Sequence, residues 1–114
     1  MNIEILREYC LSKENTTEAL PFDEDTLVFK VYDKIFALTN ITGPLSINLK
    51  CNPEKAVELR EQYSCVRPGY HMNKKHWNTV DVDGAVPDIM IFEWIDHSYQ
   101  LILASLPKNK RSSK

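Results

Sequence analysis

The stretch from residue 45 to residue 63 changes from a strand pattern to a helix pattern within a few positions. Apolar and polar residues alternate over Leu45–Lys50, which is typical of a strand with one buried and one solvated face. Asn52 can then cap a helix with its side-chain oxygen, and Pro53 suits the first helical position. Apolar residues recur at helical spacing as far as Tyr63. This chain must therefore pack a half-buried sheet against a helix.

The rest of the chain supplies further elements of both kinds. Helices are predicted over 2–12, from Pro53 onward, and over 87–105. Strands are predicted over 26–32, 35–38 and 45–50. Two further strands are predicted as the arms of an irregular hairpin within 65–82. Turns are predicted at Asp33–Lys34 and over 72–75. The order is α-β-β-β-α-β-β-α. We expect an α+β fold, a two-layer sandwich of an antiparallel sheet with its helices on one face and its other face open to a partner.

Length and composition favour one domain in a reducing compartment. The chain has 114 residues, which suits a single core over 1–107 followed by a basic, flexible tail over 108–114. Three cysteines without a Cys-x-x-Cys pair indicate free, buried thiols. The sequence has neither a signal-peptide pattern nor an apolar run long enough to cross a bilayer, so we expect a cytoplasmic protein with no membrane contact.

Charge is unevenly distributed along the chain. The formal net charge is −2, so binding to a polyanion would require a local patch. Residues 26–80 hold eight basic and four acidic side chains, whereas residues 1–25 hold two basic and seven acidic ones. The densest basic stretch, 67–79, interleaves its cations with Tyr70 and Trp77, which suits phosphate contact together with ring contact. The alternative is that the lysines solvate a hairpin tip while the two rings anchor the core.

Catalytic and metal sites find little support in the sequence. The histidines, His71, His76 and His97, have no metal-ligand spacing with one another or with a cysteine. Cys51 precedes a helix start, which can activate a thiol, but no base is placed beside it by the sequence. We expect no enzymatic activity, no cofactor and no metal.

Several segments together resemble the MmcQ/YjbR family, a group of small bacterial proteins. The matching segments are Leu-Arg-Glu-Tyr-Cys-Leu-Ser-Lys from residue 6, Thr-Glu-Ala-Leu-Pro-Phe from 17, Leu-Val-Phe-Lys-Val from 27, Lys-Ile-Phe-Ala-Leu from 34, Asn-Leu-Lys-Cys-Asn-Pro-Glu-Lys-Ala from 48, Glu-Leu-Arg from 58, Pro-Gly-Tyr-His-Met-Asn-Lys-Lys-His-Trp-Asn-Thr from 68, and Ile-Asp-His-Ser-Tyr-Gln-Leu from 95. They extend over nearly the whole chain. The run from residue 70 to residue 78 is the most specific of them.

This resemblance implies a two-layer α/β fold, similar to frataxin-like (CyaY-like) and secretion-chaperone-like domains, and a role in DNA binding without catalysis. The contact positions that it implies are His71 and Asn73–Asn78. With the basic residues around them, the predicted nucleic-acid-binding residues are Arg67, Tyr70, His71, Asn73, Lys74, Lys75, His76, Trp77, Asn78, Lys108, Lys110 and Arg111. The alternative function is a protein-interaction domain that binds its partner on the open sheet face. A monomer is expected in either case.

Overall fold

A computed structural model of the chain describes residues 1–69 and 72–107. Its elements are α1 (Ile3–Leu11), β1 (Thr16–Ala19), β2 (Thr26–Val31), β3 (Lys34–Asn40), β4 (Ser46–Lys50), α2 (Pro53–Gln62), β5 (Val66–Pro68), β6 (Trp77–Asp81) and α3 (Asp88–Ala104). The strands form a sheet in the order β1-β2-β3-β4-β6-β5, and every neighbouring pair is antiparallel. The α+β class and the two-layer arrangement are confirmed. The predicted tail, 108–114, lies outside the described residues.

One strand of the sheet was not predicted from the sequence. β1 pairs with β2 from Thr16 opposite Val31 to Ala19 opposite Val28. Its side chains are only partly buried, and Thr, Thr and Glu give it no apolar alternation. Such a short, polar strand is typical of a sheet edge. The order of elements is therefore α-β-β-β-β-α-β-β-α.

The β2–β3 turn lies one residue earlier than the sequence predicts. Tyr32 and Asp33 have positive φ angles of 49° and 67°, and Val31 pairs with Lys34 across the turn. Two consecutive positive φ angles define a type I′ turn, whose twist matches that of the flanking strands. The loop is therefore Tyr32–Asp33 rather than Asp33–Lys34. Lys34 becomes the first residue of β3.

The main core lies between the helices and one face of the sheet. Ile47 and Leu49 of β4 point into it, as the alternation predicts, and Ile95 of α3 is fully buried there. Ser98 of α3, also fully buried, donates its hydroxyl to the Phe36 carbonyl at 2.6 Å and accepts from the Lys50 amide at 2.9 Å. One side chain thus joins α3 to both β3 and β4.

The outer face of the sheet has a smaller apolar cluster of its own. Val28, Leu38 and Trp77 are buried there, and Met72 packs against them. None of the three helices in the described part of the chain covers this face. Ile35 is the other partly buried apolar residue that packs against this cluster.

Candidate nucleic-acid interface

The predicted basic turn is built by Asn73. Its side-chain oxygen accepts from the Lys75 amide at 2.8 Å, and its carbonyl accepts from the His76 and Trp77 amides at 3.2 and 2.9 Å. One residue therefore satisfies three backbone donors and folds the chain directly into β6. Lys74 is left exposed at the tip, as is Lys75.

Helix α2 holds this turn in place. Asn52 caps the helix by accepting from the Glu54 amide at 3.0 Å, which confirms the predicted start. Near the other end of α2, Arg60 donates from Nη2 to the Lys74 carbonyl and from Nε to the Asn78 side-chain oxygen at 2.7 Å. The turn is thus tied to a helix by a charged side chain that hydrogen-bonds at both ends of the Lys74–Asn78 segment.

Asn78 and Trp77 support the turn from opposite faces of the sheet. Asn78 is 2% exposed, lies on the helix side and donates to the Ala56 carbonyl at 3.3 Å. Trp77 is 7% exposed and belongs to the outer apolar cluster. Burial makes both side chains parts of the scaffold that supports the turn, although both are among the contact positions predicted from the sequence.

A close backbone approach explains the glycine at position 69. The Gly69 amide donates to the Trp77 carbonyl at 2.8 Å, and a Cβ on Gly69 would lie 2.8 Å from the Trp77 Cβ. Only glycine fits there without displacing β6. The predicted kink at Pro68–Gly69 therefore lies where the chain, at the end of β5, passes closest to Trp77 of β6.

Arg67 is engaged by a carboxylate. Its Nε and Nη2 donate to the two side-chain oxygens of Asp81 at 2.9 and 2.8 Å, and this hydrogen bonding raises the pKa of the arginine above its usual value. This bidentate pair occupies the guanidinium that the sequence predicts as a phosphate contact. Arg67 lies toward the far end of β6 from the turn.

The remaining predicted positions divide into two groups. His76 is half-buried, and its carbonyl accepts from the Cys51 amide at 2.7 Å, which joins the turn to the end of β4. Tyr70, His71, Lys108, Lys110 and Arg111 lie outside the described residues.

Strand direction brings two further lysines to the turn, and neither is among the contact residues predicted from the sequence. β4 ends at Lys50, which pairs with Trp77 at the start of β6. β3 begins at Lys34, and its pairing with β4 places that start at the same end of the sheet. We call Lys34, Lys50, Arg60, Lys74 and Lys75 the basic corner. The basic corner could have been predicted only from the strand register, which places Lys34 and Lys50 at the same end of the sheet as the turn.

A buried cysteine and a half-buried histidine meet at another point of the helix side. Cys51 and His97 line one small cavity of about 10 Å³, roughly the size of one water. The His97 Nε2 atom is buried and has no hydrogen-bond partner among the described residues. Burial, followed by the charge of Lys55, lowers the pKa of His97, and burial raises the pKa of Cys51. An activated cysteine nucleophile has a lowered pKa, so the raised pKa of Cys51 does not favour that role.

Neither a metal cluster nor a membrane-spanning helix occurs among the described residues. Over 1–69 and 72–107, no group of three or more His, Cys, Asp or Glu side chains is placed to hold a metal ion. Within the same part of the chain, no helix is long and apolar enough to cross a bilayer.

Comparison with known proteins identifies the family. The YjbR family model matches residues 11–101. The uncharacterized protein YjbR of Escherichia coli K12 is 39% identical over 112 residues, which cover 97% of this chain and 95% of the relative. The crystal structure of Deinococcus radiodurans protein DR2400, which carries a domain named DUF419, is 41% identical, with a TM-score of 0.92 over 96% of this chain and 85% of that one. A Pseudomonas syringae protein of solved structure is 33% identical, with a TM-score of 0.78 over 89% of this chain and 98% of that one. The chain belongs to the YjbR family.

Proposed function

We propose that this protein binds nucleic acid by contacting phosphates with its basic corner. The observation that carries the proposal is the convergence of Lys34, Lys50 and the Lys74–Lys75 turn at one end of the sheet. Phosphate binding needs several cations within reach of one backbone, and a sheet end presents them in a row. Acidic neighbours of the basic corner include Asp33, in the β2–β3 turn, and Glu54, which lines one surface depression with Arg60 and Lys75.

Ion pairs occupy several cations outside the basic corner in the described part of the chain. Arg7 is bound by Glu18 at 2.5 Å, and Arg67 by Asp81. Lys13 is likewise paired with Asp96. In the described part of the chain, no carboxylate lies within 4.0 Å of the lysines of the basic corner: Lys34, Lys50, Lys74 and Lys75. Their charge is available to an external anion.

The two ends of the sheet have opposite charge character. β2 begins after Asp23, Glu24 and Asp25, and β6 ends at Asp81, all at the end away from the basic corner. A chain with a net charge of −2 would then approach a polyanion in one orientation, with the acidic end directed away. This orientation reconciles phosphate binding with an overall negative protein.

The proposal is tested by fluorescence anisotropy of labelled duplex and single-stranded DNA across a salt series. Log affinity should fall linearly with log salt, with a slope of about −0.9 per phosphate neutralised on duplex. The variant Lys74→Gln/Lys75→Gln should bind more weakly and with a shallower slope, by about 0.9 for each phosphate that it no longer neutralises.

A control variant matches this change in net charge. Ala85→Glu/Ile89→Glu also makes the net charge more negative by two, at exposed positions beyond the end of β6. It should bind as the parent protein does. Equally weakened binding in both variants would show a nonspecific effect of net charge, and absence of binding at low salt would favour the alternative, a protein partner on the outer sheet face.

A further inference from the structure

The two edges of the sheet differ in what they offer to an added strand. At the β5 edge, the Cys65 carbonyl and the Gly69 amide bond to β6. Bonding alternates along an antiparallel strand, so Val66 and Pro68 direct their backbone groups to the open side. The Val66 amide donates to the Tyr63 carbonyl at 3.1 Å, and a proline has no amide to donate. This edge therefore has no free amide for a partner strand.

The β1 edge keeps its outward amides. The Asn15 carbonyl, just before β1, accepts at 3.3 Å from the amide opposite it in the β2–β3 turn. By alternation, Thr17 and Ala19 also bond to β2. The N–H and C=O groups of Thr16 and Glu18 point instead to the open side, where no strand of the described part of the chain pairs with β1. These two residues can bond to the backbone of an added strand.

Negative charge surrounds this edge. Residues 1–25 hold seven acidic and two basic side chains, and both basic residues, Arg7 and Lys13, are already ion-paired. Glu4 and Glu8 are exposed one turn apart on α1, and over 1–69 and 72–107 no cation lies within 4.0 Å of either carboxylate. The complementary partner is therefore basic. A second copy of the same edge is disfavoured, because two acidic surfaces would meet.

An apolar depression of about 390 Å³ lies at the end of β1, between the sheet and α1. Its apolar lining residues are Ile3, Leu20, Leu27 and Ile41, and Glu4 lies at its border. Leu20 is 49% exposed and Ile41 42%. A strand added to β1 would place every second side chain on the helix side of the sheet. One apolar side chain of that strand can then enter the depression.

We propose that β1 is a docking edge for an extended, basic peptide segment of a partner protein. The segment continues the sheet by bonding to the outward backbone groups of Thr16 and Glu18. One of its apolar side chains fills the depression, and the lysine or arginine residues on either side of it face Glu4 and Glu8. The basic corner contributes no residue to this edge, so peptide docking does not depend on nucleic-acid binding.

The test peptide is Thr-Lys-Thr-Leu-Thr-Lys-Thr, acetylated and amidated so that its termini carry no charge. Its leucine and lysines share one face of a strand. Its threonines share the other face, because Lys30 lies opposite Thr17 on the outer side of the sheet. The peptide is titrated into the isotope-labelled protein and followed by NMR.

The pattern of amide exchange along β1 distinguishes strand addition from other binding. At saturation, the Thr16 and Glu18 amides should exchange with solvent about fivefold more slowly or better, since they gain acceptors. The Thr17 and Ala19 amides should change little, because they already bond to β2. Equal slowing at all four positions, or no shifts with up to about 1 mM peptide, would overturn the docking edge.

Charge is tested by removing the carboxylates of α1. Glu4→Gln/Glu8→Gln should weaken peptide binding about fivefold and make it less dependent on salt. Glu58→Gln/Glu61→Gln, at exposed positions of α2, makes the same change in net charge and should bind as the parent does. Equal weakening in both variants would overturn the role of Glu4 and Glu8.

The apolar contact and the identity of the partner have their own controls. Leu20→Ala should weaken binding about fivefold, whereas Val57→Ala, at a residue of α2 that is 47% exposed, should not. Lys74→Gln/Lys75→Gln should bind the peptide as the parent does, which separates this edge from the proposed nucleic-acid surface. Slowed exchange at Thr16 on concentrating the protein without peptide would assign the edge to a second copy and overturn the peptide partner.

Discussion

Arg60 of α2 donates a hydrogen bond from Nε to the side-chain oxygen of Asn78 on β6, at 2.7 Å. The same guanidinium also donates to the Lys74 carbonyl. Since Asn78 is buried between α2 and the sheet, the arginine connects the hydrophobic core to an exposed turn. The position of Lys74 is thereby fixed by the packing of a helix.

Replacing this arginine should cost both stability and binding. In Arg60→Ala, the buried Asn78 side chain loses its donor, and we expect the free energy of unfolding to fall by about 1–3 kcal/mol. Urea denaturation measures this change, and amide exchange at 74–76 should become faster. Lys55→Ala, on the same helix but exposed, is the control and should stay within about 0.5 kcal/mol of the parent. Equal stability of the two variants would contradict the anchoring role of Arg60.

Local sequence patterns predict some elements of the fold and miss others, for a physical reason. Elements with strong periodicity or a clear cap, such as Leu45–Lys50 and the start at Pro53, were predicted within one residue. β1 was not, because Thr16–Ala19 is polar and is stabilised by pairing with β2 rather than by its own pattern.

The candidate site was harder to predict than the fold. The turn at residues 73–75 follows from local sequence. The burial of Asn78 and the pairing of Arg67 with Asp81 depend on contacts between elements that are distant in the chain. The same is true of Lys34 and Lys50, which reach the turn only through strand register.

Ser98 should contribute to stability through its two hydrogen bonds. Ser98→Ala leaves the Phe36 carbonyl without its donor and the Lys50 amide without its acceptor, both beneath α3. We expect a loss of about 1–3 kcal/mol in thermal or urea unfolding. Ser105→Ala, at an exposed serine that bonds only to the Ile102 carbonyl of its own helix, should lose less than about 0.5 kcal/mol. A similar, small loss in both variants would argue against the bridging role.

Adding one methyl group at position 69 should disturb the turn. In Gly69→Ala, the new Cβ would lie 2.9 Å from the Trp77 carbonyl oxygen, closer than such atoms approach. We expect about 1–3 kcal/mol of destabilisation by urea denaturation, with a change in Trp77 fluorescence. Ser64→Ala, at an exposed position before β5, is the control. Unchanged stability and fluorescence in Gly69→Ala would show that the segment can move away from Trp77 at little cost.

The buried thiol of Cys10 should weaken the fold at alkaline pH. Burial raises the pKa of this thiol from 9.0 to about 12. Between these values the native state keeps a proton that the unfolded chain releases, so the free energy of unfolding falls as pH rises. The contribution to the slope is at most about 1.4 kcal/mol per pH unit. Urea denaturation across pH 9.0 to about 12 should show a shallower decline in Cys10→Ala than in the parent. Parallel curves would contradict the assignment.

NMR amide shift mapping is the most direct test of whether nucleic acid contacts the basic corner. The isotope-labelled protein is titrated with a short single-stranded oligonucleotide at low salt. The largest shifts should fall on residues 73–77, followed by those of Lys34 and Lys50, and they should disappear in Lys74→Gln/Lys75→Gln. Shifts centred on α1 or on the acidic end of the sheet, or no shifts at all, would contradict it.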